Sequence, residues 1–205
     1  MLPFAHVGIT LGTAVLLNGL FGGHSENDTK ERRESSAETA AESHQSHSAE
    51  AWVTSVGRRI DLRVLLVGSL LPDIIDKPVG RLVFGTFGCR LFCHTLLFLL
   101  VIALAGLYLY LSRHKNWLLV LGFGTFMHLV LDEMWLDTQT LLWPVRGFSF
   151  PTVERTGWVQ GIFHELFASP KIYVSELVGI AVLGCFAWLL VRRGRVYAFI
   201  RHGQI

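Results

Sequence analysis

The sequence predicts an all-α membrane protein, a polytopic bundle of about five transmembrane helices. Hydrophobic residues make up 51% of the chain and charged residues only 17%, and the mean hydropathy is +0.45. These values are typical of membrane proteins and unlike those of a domain with a water-exposed surface. Long apolar runs also recur along the whole chain. We therefore expect no separate soluble domain large enough to fold alone.

Five apolar runs provide the predicted spans, at residues 2–23, 60–75, 91–112, 117–136 and 172–191. Four of them are about 20 residues long and the second is nearer 16, and a helix of about 20 residues crosses a hydrocarbon core of about 30 Å. The first run has no basic region before it and no small-residue cleavage site after it. We therefore expect it to remain in the protein as the first helix.

The segment 24–51 interrupts this pattern. It is rich in Ser, Glu, Ala and His and lacks the apolar residues that would build a core. We interpret it as a low-complexity loop, disordered or loosely helical, that is inserted into one membrane-embedded domain spanning residues 1–205. The three cysteines form neither a paired framework nor a CxxC zinc signature. The formal net charge of +2 is too small to indicate a nucleic-acid partner.

Lysine and arginine are distributed unequally between the two sides of a five-helix arrangement. The side of the 24–51 loop and the carboxyl tail holds eleven: Lys30, Arg32, Arg33, Arg58, Arg59, Arg113, Lys115, Arg192, Arg193, Arg195 and Arg201. The other side holds six: Lys77, Arg81, Arg90, Arg146, Arg155 and Lys171. Because cytoplasmic loops carry the excess of positive residues, the amino terminus is predicted outside and the carboxyl terminus in the cytoplasm.

Seven ionisable residues fall inside the apolar runs or at their ends: His6, Asp73, Asp76, His94, His128, Asp132 and Glu176. A central aspartate costs roughly 2.5 to 3.5 kcal/mol on insertion scales, so such residues need a compensating partner. The five-helix arrangement carries all seven toward its outer side. The orientation came from lysine and arginine alone, so the common depth of the seven residues indicates a single polar cluster.

The spacing of four of these residues favours metal binding. His128 and Asp132 are four residues apart and Asp73 and Asp76 are three apart, so each pair shares one face of a helix. Imidazole nitrogen together with carboxylate oxygen suits zinc, iron, manganese or a similar divalent ion. Several carboxylates could also bridge two ions about 3.5 to 4 Å apart.

Taken alone, most of these residues also have a structural explanation. A histidine at a helix end is commonly an interfacial polar residue. Asp73 could simply end the second helix, and Asp76 could pair with Lys77 or Arg81. Glu176 could be a helix-start acid near the positive end of the dipole. Arg90 is the natural partner for an anionic substrate, yet it could equally be an arginine that reaches the interface with its charged end.

Four steps of the sequence resemble the YdjM-like family, named for LexA-binding, inner membrane-associated hydrolases and often described as membrane-bound metal-dependent hydrolases. The steps stand in MLPFAHVGIT, GSLLPDIID, CRLFCHTLL and HLVLDEMWLDTQTLLWPV. The resemblance covers most of the chain outside 24–51 and maps the family pattern onto His6, Asp73, Asp76, Arg90, His94, His128 and Asp132. Family members commonly have His, Thr and Ser in the third step where this chain has Cys89, Cys93 and Thr95.

The residues and the resemblance together predict a membrane-bound, metal-dependent hydrolase that acts on a lipid, a lipid-linked phosphoester or a similar ester near the outer membrane interface. The expected metal ligands are His6, Asp73, Asp76, His94, His128 and Asp132. Zinc is the first ion expected, with manganese, iron and magnesium as the others. Asp76 or Glu176 is expected to take a proton from metal-bound water, and Arg90 to hold the anion.

Two other function classes are left open by the sequence. Intramembrane acids and histidines also mark the paths of ion or metal transporters, although no inverted repeat is evident and the inner halves of the runs are nearly uncharged. A non-catalytic membrane scaffold could bind a soluble regulator through the 24–51 loop and the basic tail. The family name motivates this last interpretation.

Overall fold

The computed structural model describes residues 3–22, 60–84, 90–150 and 170–203. All regular structure in these ranges is helical, which confirms the all-α class there. The helices are α1 (Pro3–Gly22), α2 (Leu62–Phe84), α3 (Leu96–Arg113), α4 (Trp117–Leu131), α5 (Thr138–Leu141), α6 (Pro170–Arg192) and α7 (Val196–His202), with 3-10 turns at Phe92–His94 and Met134–Leu136. The predicted disordered loop at 24–51 falls outside the described residues.

Among the described helices, α3 and α6 are long and apolar enough to cross a membrane. The apolar helices Pro3–Leu17 and Trp117–Leu131 are shorter. Helix α2 has 23 residues but carries Asp73, Asp76, Lys77 and Arg81, which lower its hydropathy. Length and composition in the structure thus support two membrane spans, and the bundle of about five spans remains a prediction.

Helix α4 lies at the centre of the described fold and packs against α1, α2 and α3, while α6 packs against α1. The backbones approach closely where glycines meet. A Cβ atom on Gly124 of α4 would lie 2.6 Å from the carbonyl oxygen of Leu65 on α2, and one on Gly8 of α1 would overlap the backbone of Gly179 on α6. Small residues at such crossings allow the close contact that membrane helices need to associate.

A proline inside α2 creates the point at which α4 docks. Pro72 has no N–H group, so the carbonyl of Gly68 loses its helical partner. The hydroxyl of Thr125 on α4 donates to that carbonyl at 3.3 Å. The next carbonyl, that of Ser69, accepts from Nδ1 of His128 at 2.7 Å. The acidic step after Pro72 therefore lies within α2, whereas the apolar pattern had suggested that the helix ends there.

Two helix boundaries also differ from the apolar runs. Helix α3 begins at Leu96, because the hydroxyl of Thr95 caps it by accepting from the N–H of Phe98 at 3.1 Å. His94 consequently lies in the preceding 3-10 turn and does not open the helix. Helix α4 ends at Leu131, and Glu133 has a left-handed backbone conformation with φ of 51°. Hydropathy alone cannot locate such caps and turns.

Helix α7 docks on the start of α2 through a network of ordinary hydrogen bonds. The N–H of Leu62 donates to the carbonyl of Gly203 at 2.9 Å, and the guanidinium of Arg63 donates to the carbonyl of Ile200 at 2.7 Å. Arg63 also donates to both carboxylate oxygens of Asp61, at 3.0 and 2.7 Å. The hydrogen bonds from Arg63 hold the pKa of Asp61 below its usual value. The charged groups of Asp61 and Arg63 thus both have hydrogen-bond partners within the protein.

Candidate metal centre

Five side chains converge beside the C-terminal end of α4, and we call them the His/Asp cluster: His6 of α1, Asp73 of α2, His94 of the first 3-10 turn, His128 of α4, and Asp132 directly after α4. They form two overlapping groups, each with ligand atoms within 4.8 Å of one another. One group holds His6, Asp73 and His128, and the other holds His94, His128 and Asp132. The structure thus brings together five of the six predicted ligands.

The cluster is layered by depth. His6 and His128 are 0% exposed and His94 is 1% exposed. The two aspartates lie nearer the surface, with side chains 8% exposed for Asp132 and 14% for Asp73. A cation that enters from the surface would therefore meet carboxylates first and imidazoles behind them.

The imidazoles of His94 and His128 are each fixed through Nδ1. Nδ1 of His128 lies 2.7 Å from the carbonyl of Ser69, which can only accept, so this nitrogen carries a hydrogen. Nδ1 of His94 lies 2.7 Å from a carboxylate oxygen of Asp76, another acceptor. In the neutral rings both Nε2 atoms then present lone pairs. These two atoms are only 3.3 Å apart, a repulsive arrangement unless a proton or a metal ion is shared between them.

The distances within the cluster fit divalent metal coordination. Ligand atoms at about 2.0 to 2.1 Å from a tetrahedral zinc ion lie about 3.3 Å from one another. The Nε2 atoms of His94 and His128 have that separation, and Nε2 of His6 lies 3.2 Å from Oδ1 of Asp132. Oδ1 of Asp73 lies 3.7 and 3.9 Å from the same two Nε2 atoms. The donor set and its spacing fit one ion or two adjacent ions.

His6 adds an independent indication. Its ring stacks on that of His128 with centroids 4.2 Å apart. Both of its nitrogens are buried and without a hydrogen bond among the described residues, although Nε2 lies 3.2 Å from Oδ1 of Asp132. Buried polar atoms without partners are rare because each costs the full free energy of desolvation. Ligation of an ion by His6 would remove this cost.

Asp76 lies behind His94 and belongs to neither convergent group. Its carboxylate accepts from the N–H groups of Leu91 at 2.8 Å and Cys93 at 3.1 Å, in addition to Nδ1 of His94. Carboxylates in this position commonly orient the histidines that ligate metals. The structure therefore places Asp76 where it can position a ligand, and its predicted roles as a ligand and as a base stay predictions.

Glu176 is a residue of α6 whose side chain contacts the first turn of α1, and it is 5% exposed. Its carboxylate accepts from the N–H of Ala5 at 3.1 Å. This N–H is one of the first four of α1, which have no partner inside the helix, and the negative charge also meets the positive end of the helix dipole. Glu176 thus links α6 to α1 one residue away from His6, and its predicted role as a base stays a prediction.

Two cations lie outside the carboxylate layer. Nζ of Lys77 lies 2.6 Å from Oδ2 of Asp73, and a terminal nitrogen of Arg90 lies 3.2 Å from Oδ2 of Asp132. Their side chains are 49% and 38% exposed, respectively. Arg90 is thus close to where the sequence predicts it, whereas Lys77 pairs with Asp73 and not with Asp76. The spacing of four residues between Asp73 and Lys77 on one helix face was the available signal.

A family model described as YdjM inner membrane protein matches residues 1–198. The chain belongs to the YdjM inner membrane protein family. This confirms the resemblance carried by the four sequence steps, and together with the two apolar helices it supports a membrane location. No curated protein and no solved structure matches the chain.

This YdjM-family chain departs from the common third step at three positions, and two of them, Cys93 and Thr95, lie among the described residues. Cys93 is buried and uses its N–H on Asp76, and its thiol belongs to neither convergent group. Thr95 caps α3. Cys89 lies outside the described residues. The substitutions at 93 and 95 are therefore compatible with the positions of His94 and Asp76.

An aromatic cluster adjoins the 3-10 turn that carries His94 in this YdjM-family chain. The ring of Phe92 makes edge contacts with Trp143 and Phe150, with centroids 5.1 and 5.0 Å apart, and Trp143 stacks on Phe150 at 5.5 Å. Phe92 is 48% exposed and Phe148, beside Trp143, is 82% exposed. An exposed apolar surface thus lies two residues from a ligand candidate.

Proposed function

We propose that this chain is a membrane-embedded, metal-dependent hydrolase of a lipid or lipid-linked phosphoester. The proposal is supported above all by the two Nε2 atoms of His94 and His128, which face each other at 3.3 Å while both Nδ1 atoms are engaged. The fixed tautomers prepare these rings to bind a cation. Zinc is the ion we propose, because its tetrahedral geometry and preference for nitrogen and oxygen ligands match the cluster.

His6, Asp73, His94, His128 and Asp132 would hold the metal. A divalent ion there polarises the scissile group and lowers the pKa of a bound water to about 7. The remaining work falls to the protein. We assign the proton of the attacking water to Asp76 or Glu176, the buried carboxylates beside the cluster that belong to neither group of ligand atoms.

The groups around the cluster position the reactants. Asp76 and the carbonyl of Ser69 fix the two facing imidazoles. The guanidinium of Arg90 is partly exposed and can bind the anionic part of the substrate, since its planar fork matches phosphate geometry. The exposed aromatic rings near Phe92 favour a substrate that carries an apolar chain, and Trp and Tyr side chains commonly lie at headgroup depth.

We propose that the cluster lies toward the outer side of a multi-pass inner-membrane protein. The unequal distribution of eleven against six lysines and arginines supports an outer amino terminus and a cytoplasmic carboxyl terminus. The exposed Arg192 ends α6, remote from Glu176, and the exposed Arg193 and Arg195 follow it. A path for ions would need polar groups at both ends of the bundle interior, and the buried ionisable side chains of the described residues gather at one end.

Metal analysis of the detergent-purified protein tests this proposal. Without chelator, we expect about one or two transition metals per chain and hydrolysis of a lipid-linked phosphoester. Asp132→Asn should lose most of the metal and the activity. If Asp132 is a ligand, this substitution should also lower the stability of the metal-loaded protein. If Asp132 is only a buried acid, neutralising it should instead raise the stability by up to about 2 to 3 kcal/mol.

Glu133→Gln is the matched control. Glu133 follows Asp132 directly, but the left-handed backbone turns it away, and it pairs with the exposed Lys171 at 2.8 Å. This variant should keep both metal and activity. A wild-type protein without tightly held metal would contradict the proposal, and metal flux into proteoliposomes without hydrolysis would favour a transporter.

A further inference from the structure

Each aspartate of the His/Asp cluster is shared between two layers. Oδ1 of Asp73 faces the imidazoles while its Oδ2 faces Lys77. Oδ1 of Asp132 faces His6 while its Oδ2 faces Arg90. The cations thus occupy the surface side of the same carboxylates that would hold a metal.

Formal charges show what metal binding does to this arrangement. The two aspartates of the cluster are balanced by Lys77 and Arg90, and Asp76 adds one negative charge that backbone N–H groups and His94 stabilise. The net charge is therefore about −1 with neutral imidazoles, and a single divalent ion makes it about +1. A partly exposed site with excess positive charge attracts an anion.

We propose that Lys77 and Arg90 form an oxyanion-binding pair that metal binding releases. With Asp73 and Asp132 engaged as metal ligands, Lys77 and Arg90 would be released to bind a phosphate group at the surface of the site. Both side chains are long and substantially exposed, so they can turn without disturbing the buried layer. This inference rests on the proposed metal centre. It assigns phosphoesters as the substrate class, because the planar guanidinium of Arg90 and the compact ammonium of Lys77 can both bind phosphate oxygens.

The test titrates inorganic phosphate into the full-length protein in detergent, with zinc and after its removal, while metal content is measured separately. We expect phosphate binding only in the metal-loaded protein. Lys77→Gln and Arg90→Gln should each weaken it by about tenfold, as expected for one charge-assisted hydrogen bond. Lys171→Gln is the matched control, because Lys171 is also an exposed lysine in an ion pair with a carboxylate, and it should have no effect.

A second measurement separates an oxyanion-binding pair from a merely structural one. If the cations compete with the metal for the carboxylates, Lys77→Gln and Arg90→Gln should bind zinc more tightly while they bind phosphate more weakly. Side chains that only hold the aspartates in place would give weaker zinc binding instead, and this result would overturn the proposal. A phosphate affinity equal to that of Lys171→Gln, with metal retained, would also overturn it and leave the metal centre standing.

The source of the phosphate is tested in the same system. Phosphatidic acid in the micelles should displace inorganic phosphate from the metal-loaded protein, because both present the same headgroup oxygens. Failure of the lipid to compete would overturn a lipid phosphoester as the occupant. A wild-type protein that holds no metal would overturn the proposed function itself, and the metal analysis shows this before any phosphate is added.

Discussion

Helix α2 contributes charged residues to both ends of the bundle, and the two ends differ in whether the protein completes their hydrogen bonds. At its start, Asp61 and Arg63 bind each other and the carbonyl of Ile200. Further along, Asp73 lies among imidazoles whose Nε2 atoms face one another. The first end is explained by the docking of α7. At the second end, the buried nitrogens of His6 have no hydrogen bond among the described residues. Buried polar atoms left in this way are typical of a ligand site.

Among substitutions outside the proposed metal ligands, the largest effect on zinc affinity is expected for Asp76→Asn. The amide has one accepting oxygen in place of two, so it cannot satisfy both backbone N–H groups and Nδ1 of His94 as the carboxylate does. The ring should then lose its fixed tautomer and present N–H toward the cluster. Groups that orient metal-ligating histidines are worth about 10 to 100-fold in metal affinity. Zinc affinity, measured by competition with a chromogenic chelator, should fall by that factor.

Asp132→Asn provides the upper reference for this measurement, because it removes a proposed ligand outright. An affinity for zinc that is unchanged in Asp76→Asn would contradict the positioning role. A loss as complete as that of Asp132→Asn would instead favour the original prediction that Asp76 binds the metal directly.

The sequence predicted those parts of the site that depend on helical periodicity. His128 and Asp132 share a face because four residues make about one turn, whatever surrounds the helix. The common depth of the polar residues followed from topology, and the family followed from four short steps that the family model confirms. The all-α class followed from apolar runs, although the number of membrane spans is supported for α3 and α6 only.

The remainder depends on contacts that no local pattern encodes. Asp76 contacts His94 because His94 lies in a 3-10 turn, and Thr95 caps the helix that follows this turn. Glu176 binds the N–H of Ala5 from 171 positions away. The role of Pro72 in freeing a carbonyl for α4 is likewise visible only once two helices are packed. The sequence indicates that such residues are unusual, but it does not indicate which groups they bind.

A smaller effect is expected for Thr10→Val. Thr10 lies one turn after His6 on α1, and its buried hydroxyl, like the nitrogens of His6, has no hydrogen-bond partner among the described residues. A rotation of the hydroxyl toward Nδ1 would fix the tautomer of His6 when a metal is bound, as Ser69 does for His128. We expect zinc affinity to fall severalfold, less than in Asp76→Asn, and the melting temperature of the metal-free protein to stay the same or rise.

Thr13→Val is the control for this variant, because the hydroxyl of Thr13 donates to the carbonyl of Ile9 at 2.9 Å within the same helix. It should leave zinc affinity unchanged. Equal zinc affinities in the two variants would show that Thr10 does not act on His6.

The smallest effect is expected for Asp61→Asn, which weakens the completed network at the other end of α2. Hydrogen bonds from Arg63 lower the pKa of Asp61 in the folded protein, so the ion pair stabilises the fold above the unfolded pKa of about 3.9. This contribution is lost as the pH falls through the lower, folded pKa. The pair is partly exposed, so its contribution should be small and should shrink in salt. Thermal melts of both proteins should therefore differ slightly at pH 7 and converge once the pH has fallen below the lowered pKa of Asp61 in the folded protein. Zinc affinity should be the same in both, because Asp61 binds only groups at the α7 end. A loss of zinc comparable to that of Asp76→Asn would mean that the two ends of α2 are coupled, and the distinction between a structural network and a ligand site would no longer hold.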